Sequence, residues 1–141
     1  MNVLSLLTTD LVDISEAIIR GTLDRVPVEF APLASVCKYV VPRGYPESPV
    51  RGERISLARV PASSAQLRHY FASVDQTAEG LIMTGSRAIG FVGIAADLDE
   101  AERVAEEAAS AVEGPVEHRR DIGTRALIDA RCEHVRRLGG S

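Results

Sequence analysis

The sequence predicts a single α+β domain, and three observations carry that reading. Between residues 33 and 95, short segments rich in β-branched residues follow one another, separated by turns containing Gly, Pro and Asp. Residues 97–112 then switch to an amphipathic helical pattern. The chain has 141 residues, about the size of one ordinary domain. A hydrophobic fraction of 45% and a mean hydropathy of +0.03 place it among globular chains that can bury a core.

Residues 1–30 predict one helix with a strand behind it. Thr8 or Thr9 is placed to cap, and Asp10 and Asp13 fall where the helix dipole favours acids. Leu11, Ile14 and Ile18 recur at helical spacing, and Gly21 supplies the stop. Val3-Leu4-Ser5-Leu6-Leu7 is very apolar for a chain end, since ends are usually polar and frayed. Either this segment packs into something, or it belongs in the middle of a larger fold.

Leu33-Ala34-Ser35-Val36-Cys37-Lys38-Tyr39-Val40-Val41, bounded by Pro32 and Pro42, reads as a strand, and 43–49 as a surface loop. A short strand is expected at 55–57, and 58–68 has no period and reads as loop. Strands follow at 69–74, 81–84 and 87–95, with 75–80 as a polar connection, so that 69–95 forms an antiparallel meander.

In the next helix Asp97 is the N-cap, with Glu100 three residues on. Leu98, Ala101, Val104, Ala105, Ala108 and Val112 make one apolar stripe, and its alanines imply close packing on a sheet. Glu102, Arg103, Glu106 and Glu107 are expected on the opposite, solvated side, and Gly114 and Pro115 end the helix. A strand at 116–118 leads to the charged corner Arg119-Arg120-Asp121-Ile122-Gly123. Thr124 caps a last helix, with Leu127, Ile128, Cys132, Val135 and Leu138 expected inward and Gly139-Gly140-Ser141 as a frayed tail.

The candidate site is the stretch Thr84-Gly85-Ser86-Arg87, which runs directly into the strand at 87–95. An arginine at the lip of a strand has a fixed backbone and a free guanidinium. Its planar fork binds phosphate or carboxylate through two parallel hydrogen bonds. Gly85 permits close backbone approach, and Ser86 adds a hydroxyl to the same corner. Arg119 or Arg120 could reach the same anion, with Asp121 fixing the guanidinium. Neighbouring strand residues point to opposite faces, so one of the two arginines faces the site. A solvated arginine pair with one salt bridge is the plain alternative.

Other chemistries are poorly served. A net charge of −4, no Trp and 4% aromatics argue against nucleic-acid and acidic-membrane partners. No apolar run reaches the length of a membrane helix, and no signal-peptide layout is present. Cys37 and Cys132 lack metal-site spacing and read as two reduced thiols of a cytoplasmic protein. His69, His118 and His134 form no metal-ligand pattern; His134 reads as a surface residue, and His118 lies beside the arginine corner. No GxxxxGK[ST] exists, no GxGxxG opens a helix, and Ser86 lacks a nucleophile elbow.

The order of these pieces resembles the C-terminal part of phosphoribosylamine–glycine ligase, also called glycinamide ribonucleotide synthetase. The resemblance rests on Asn2-Val3-Leu4, Thr9-Asp10-Leu11-Val12, Glu16-Ala17, Gly21-Thr22-Leu23-Asp24 and Ala34-Ser35-Val36-Cys37-Lys38-Tyr39-Val40-Val41-Pro42. It continues through Gly44-Tyr45-Pro46, Thr84-Gly85-Ser86-Arg87, Asp99-Glu100-Ala101 and Arg119-Arg120-Asp121-Ile122-Gly123, covers almost the whole chain, and looks closest to archaeal members. It implies an ATP-grasp ligase that joins glycine to 5-phosphoribosylamine in purine synthesis, with ATP and Mg²⁺ (or Mn²⁺) serving the complete enzyme.

By the same resemblance, residues 1–32 are the end of an ATP-grasp core. Residues 33–141 are a small, antiparallel, β-barrel-like C-terminal domain with two flanking helices. The metal ligands and the lobes that grip ATP would lie before Met1, and residues 3–18 would pack on an ATP-grasp domain or chain. Arg87, Ser86, Gly85, Arg119, Arg120 and Asp121 would help hold a phosphoribosyl substrate, and none would transfer a phosphoryl group. Three readings result: a segment of the ligase inactive alone, one subunit of a split ligase, or a non-catalytic phosphoribosyl-binding module.

Overall fold

The computed structural model describes residues 1–139, an α+β arrangement of two antiparallel sheets and three α-helices. Strand β1 (Ala34–Pro42) is the centre. It alternates between faces, so Val36, Lys38, Val40 and Pro42 are buried on one side while Cys37, Tyr39 and Val41 lie on the other. Strands β2 (Arg54–Ile55), β3 (Leu67–Phe71), β4 (Val74–Thr77), β5 (Gly80–Met83), β6 (Ile89–Ala95) and β7 (Val116–His118) complete the set.

The larger sheet has the order β3-β6-β1-β7, with Lys38 opposite Phe91 and Tyr39 opposite Gly90 across β1 and β6. The smaller sheet has the order β2-β5-β4. Both sheets are open, and the expected barrel-like closure is not what the strands build.

Helix α2 (Leu98–Ser110) covers the Lys38 side of the larger sheet. Asp97 caps it as expected, its carboxylate accepting from the Glu100 amide at 2.9 Å. Ala101, Ala105, Ala108 and Ala109 are buried beneath it. Gly93 of β6 makes this approach possible: a Cβ there would lie 2.1 Å from the Ala101 carbonyl oxygen and 2.8 Å from the Ala105 nitrogen. Val40, Ile55, Met83, Ile89, Phe91, Ala108 and Val112 join the two sheets and α2 in one core.

Several expectations need correction. The expected meander is divided between the sheets, because β3 pairs with β6 while β4 and β5 form a hairpin paired to β2. Half of the polar connection expected at 75–80 is strand β4, and Gly80 opens β5. Asp75, Gln76 and Thr77 of β4 are exposed, and polar residues on an edge strand read as loop.

At the N-terminus, helix α1 (Leu11–Arg20) is capped by Asp10, whose carboxylate accepts from the Val12 amide at 2.7 Å, rather than by Thr8 or Thr9. The Thr9 hydroxyl instead ties 27–29 to the helix start, donating to the Pro27 carbonyl and accepting from the Glu29 amide. The strand expected behind α1 is one isolated bridge between Leu7 and Phe30. Gly21 ends the helix in the left-handed region, as expected.

Helix α3 (Arg125–Gly139) buries none of its residues, and Val135 and Leu138, expected inward, are exposed. Of its expected apolar side, Leu127 and Ile128 are half-buried, while Cys132 is exposed with Val135 and Leu138. The expected tail residue Gly139 closes this helix, and Gly140 and Ser141 lie outside the described residues.

Candidate functional site

Because β1 alternates, the residues facing away from α2 form the floor of a surface cavity of about 610 Å³. Cys37, Tyr39 and Val41 come from β1, Tyr45 and Pro46 from the loop after it, and Ile122 from the corner that precedes α3. Polar groups sit among these apolar walls: Arg87 from the turn before β6, and Glu117, His118 and Arg119 from β7 and the residue after it. An apolar chamber with a few convergent polar groups is the usual form of a small-molecule site.

Arg87 stands where the sequence placed it, at the lip of β6. Its backbone is held by a hydrogen bond from the Ser73 amide to the Arg87 carbonyl at 2.9 Å. The guanidinium carbon lies 5.0 Å from the centre of the Tyr39 ring, within cation–π range. The side chain is therefore oriented by the cavity floor, and its N–H donors bond no described residue.

The arginine pair lies just past the end of β7, and its two side chains go to opposite sides of the sheet. Arg119 lines the cavity, and its Nε donates to Asp121 Oδ1 at 3.0 Å while Nη2 donates to Oδ2. These hydrogen bonds hold the Asp121 carboxyl below the usual carboxylate range. Arg120 turns to the α2 side, with Nη1 4.0 Å from Glu106 Oε1. Asp121 therefore reaches the cavity only through Arg119. Gly85 and Ser86 form the turn leading to Arg87 and are outside the cavity wall. Gly85 has φ +104°, and a Cβ there would meet the Arg51 side chain at 2.6 Å.

Beneath the sheet lies a cluster that the sequence reading missed. Lys38 is the buried charge of the core; its ammonium donates to Glu102 Oε1 at 2.6 Å, Glu106 Oε2 at 2.6 Å and the Arg120 carbonyl at 2.8 Å. His118 Nε2 lies 3.1 and 3.2 Å from the two Glu106 oxygens, and Ser110 donates to Glu106 at 3.0 Å. Burial alone would push the Glu106 carboxyl up. Hydrogen bonds from Lys38, His118 and Ser110 outweigh it and bring the group down to about 2.

Glu102 and Glu106 are thus not part of a solvated face, as expected, but flank the alanine stripe one turn apart and close over Lys38. Arg103, Glu100 and Glu107 do form an exposed ion-pair set. The available signal was a lysine in the middle of an apolar strand, together with two glutamates spaced i, i+4.

Tyr39, Tyr45 and Cys37 were also missed as site residues, since only the pairing of β1 shows which face is open. Burial pushes the Cys37 thiol up, against the smaller pull of the N-terminal charge. What the arrangement can do chemically is hold an anion.

The family model for phosphoribosylglycinamide synthetase, C domain, matches residues 35–125. A phosphoribosylamine–glycine ligase of Methanocaldococcus jannaschii is 45% identical over 138 residues, 98% of this chain and 31% of that protein. One from Methanosarcina barkeri is 43% identical over 140 residues, 99% of this chain and again 31% of the relative. The crystal structure of phosphoribosylamine–glycine ligase from Thermotoga maritima superposes with a TM-score of 0.58 at 28% identity, covering 77% of this chain and 27% of that one. The chain therefore spans about a third of the length of these curated relatives.

Proposed function

We propose a substrate-positioning role for this chain, which belongs to the phosphoribosylglycinamide synthetase C-domain family. In this reading it is the C-terminal portion of a phosphoribosylamine–glycine ligase. The complete enzyme converts ATP, glycine and 5-phosphoribosylamine to glycinamide ribonucleotide, ADP and phosphate in de novo purine biosynthesis. The observation that carries the reading is the convergence of Arg87 and Arg119 on one cavity. Two guanidiniums on apolar walls suit a phosphate attached to a less polar body, and a sugar phosphate has that form. Gly85 and Ser86 shape the approach of Arg87, Asp121 holds Arg119, and Arg120 supports the corner from below.

The phosphoryl chemistry belongs to other parts of the complete enzyme. Among the described residues no group of three or more His, Cys, Asp or Glu side chains is placed to hold a metal ion. ATP and Mg²⁺ (or Mn²⁺) belong to the ATP-grasp lobes; residues 1–32 are the closing segment of that core, and residues 33–141 are a separate C-terminal domain. The exposure of Val3, Leu4, Leu11, Val12 and Ile18 supports residues 3–18 as the docking face for those lobes, on the same polypeptide or on a second one. A cytoplasmic location fits such an enzyme.

The test is an NMR titration of the chain with ribose 5-phosphate, comparing wild type with Arg87→Ala. Removing a bidentate arginine–phosphate contact weakens binding about ten- to a hundredfold. Equal affinity in both proteins overturns the role of Arg87. A second assay supplies ATP, Mg²⁺, glycine and phosphoribosylamine; turnover above background overturns the assignment of the chemistry to other parts of the enzyme.

A further inference from the structure

We infer that Lys38 is a positioning residue for the cavity, acting through Arg119 from the opposite side of the sheet. This deepens the reading above and rests on it where ligand affinity is concerned. Lys38 projects away from the cavity, and its side chain has no exposure to solvent. Its three N–H groups are all used, two on carboxylates of α2 and the third on the Arg120 carbonyl.

That third bond decides the geometry. It holds the peptide group that joins Arg120 to Asp121, so the corner between β7 and α3 is tied to β1 and α2 between Arg119 and the carboxylate that Arg119 binds. With the Arg120 carbonyl drawn inward, Arg119 is set toward the cavity and its bond to Asp121 fixes the guanidinium. A buried ammonium is a poor choice for stability alone, since well-packed apolar replacements of buried ion groups are often neutral or stabilising. A directional, three-way anchor is what an apolar side chain at position 38 cannot supply.

The experiment is a double-mutant cycle on the full chain, with ribose 5-phosphate as the probe and NMR as the readout. Lys38→Met weakens binding roughly tenfold, about as much as Arg119→Ala, and has no further effect when Arg119 is already Ala. Additive losses, or unchanged affinity in Lys38→Met, overturn the inference. If Lys38→Met does not fold, Lys38→Met combined with Glu102→Gln and Glu106→Gln leaves no unbalanced charge and carries the same cycle.

A separate readout keeps this distinct from the proposed function. Amide hydrogen exchange of Thr124, whose N–H donates to the Asp121 carbonyl at 3.1 Å, speeds up in the Lys38 variant while the core strands β1 and β6 stay protected; unchanged exchange at Thr124 overturns the clamp. Absence of ribose 5-phosphate binding by the wild-type chain refutes the phosphoribosyl reading, and corner exchange then decides the clamp by itself.

Discussion

The Arg87 guanidinium carbon lies 5.0 Å from the centre of the Tyr39 ring, so the strongest anion-binding candidate rests on the floor of its own cavity. The two residues come from β1 and from the turn before β6, and the pairing of Tyr39 with Gly90 brings them together. A partly exposed cation–π contact is worth about 0.5–1 kcal/mol. Tyr39→Leu therefore weakens ribose 5-phosphate binding about two- to fivefold, and Tyr39→Phe, which keeps the ring, restores it. Loss of affinity in Phe equal to that in Leu would assign the effect to the hydroxyl instead.

Gly93→Ala strains the contact between sheet and helix. The new Cβ meets backbone atoms of Ala101 and Ala105, which cannot move without shifting α2. Urea unfolding is expected to report a loss of about 2–4 kcal/mol. Gly90→Ala serves as the control: its nearest atoms are side-chain ends of Met1 and Tyr39 at 3.2 Å, and its cost stays near 1 kcal/mol.

Acid weakens the fold through Glu106. Its folded-state value, about 2, lies below the ordinary 4.5, so the native state favours the ionised form. That stabilisation is complete above about pH 4.5 and is lost as pH falls toward 2, a change on the order of 2–3 kcal/mol. Glu106→Gln flattens this limb. Urea midpoints at pH 7, 4.5 and 3 measure it, and a limb as steep in the variant as in wild type rejects Glu106 as its source.

The cysteines differ in reactivity. Cys132 is exposed on α3, whereas Cys37 is partly buried in the cavity floor with its thiol pushed up by burial. The thiolate is the reacting species, so maleimide labels Cys132 at least about tenfold faster at pH 7.5. In a Cys132→Ser background, ribose 5-phosphate slows labelling of Cys37. Labelling indifferent to the ligand places the ligand elsewhere.

Helix α3 contributes little to the fold. It buries no residue, and its ion pair from Arg125 to Asp99 is exposed on both sides. A chain ending at Thr124 is expected to lose no more than about 1–2 kcal/mol, from half-buried Leu127 and Ile128. A loss of cooperative unfolding on truncation contradicts this.

The sequence by itself determined what depends on neighbours along the chain. The cap at Asp97, the stop at Gly21, the alanine stripe of α2 and the placing of Arg87 at a strand lip all follow from local sterics and hydrogen bonding.

Tertiary structure decided the rest. Glu102 and Glu106 lie 64 and 68 residues from Lys38, and only the packing of α2 on β1 turns two apparent surface acids into ligands of a buried ammonium. The same holds for the division of 69–95 between two sheets, because strand partners are chosen by which apolar faces meet. It holds again for α3, whose pattern promised a buried side that the fold covers only in part, at Leu127 and Ile128. Spacing specifies what a segment can bury; the fold decides what it meets.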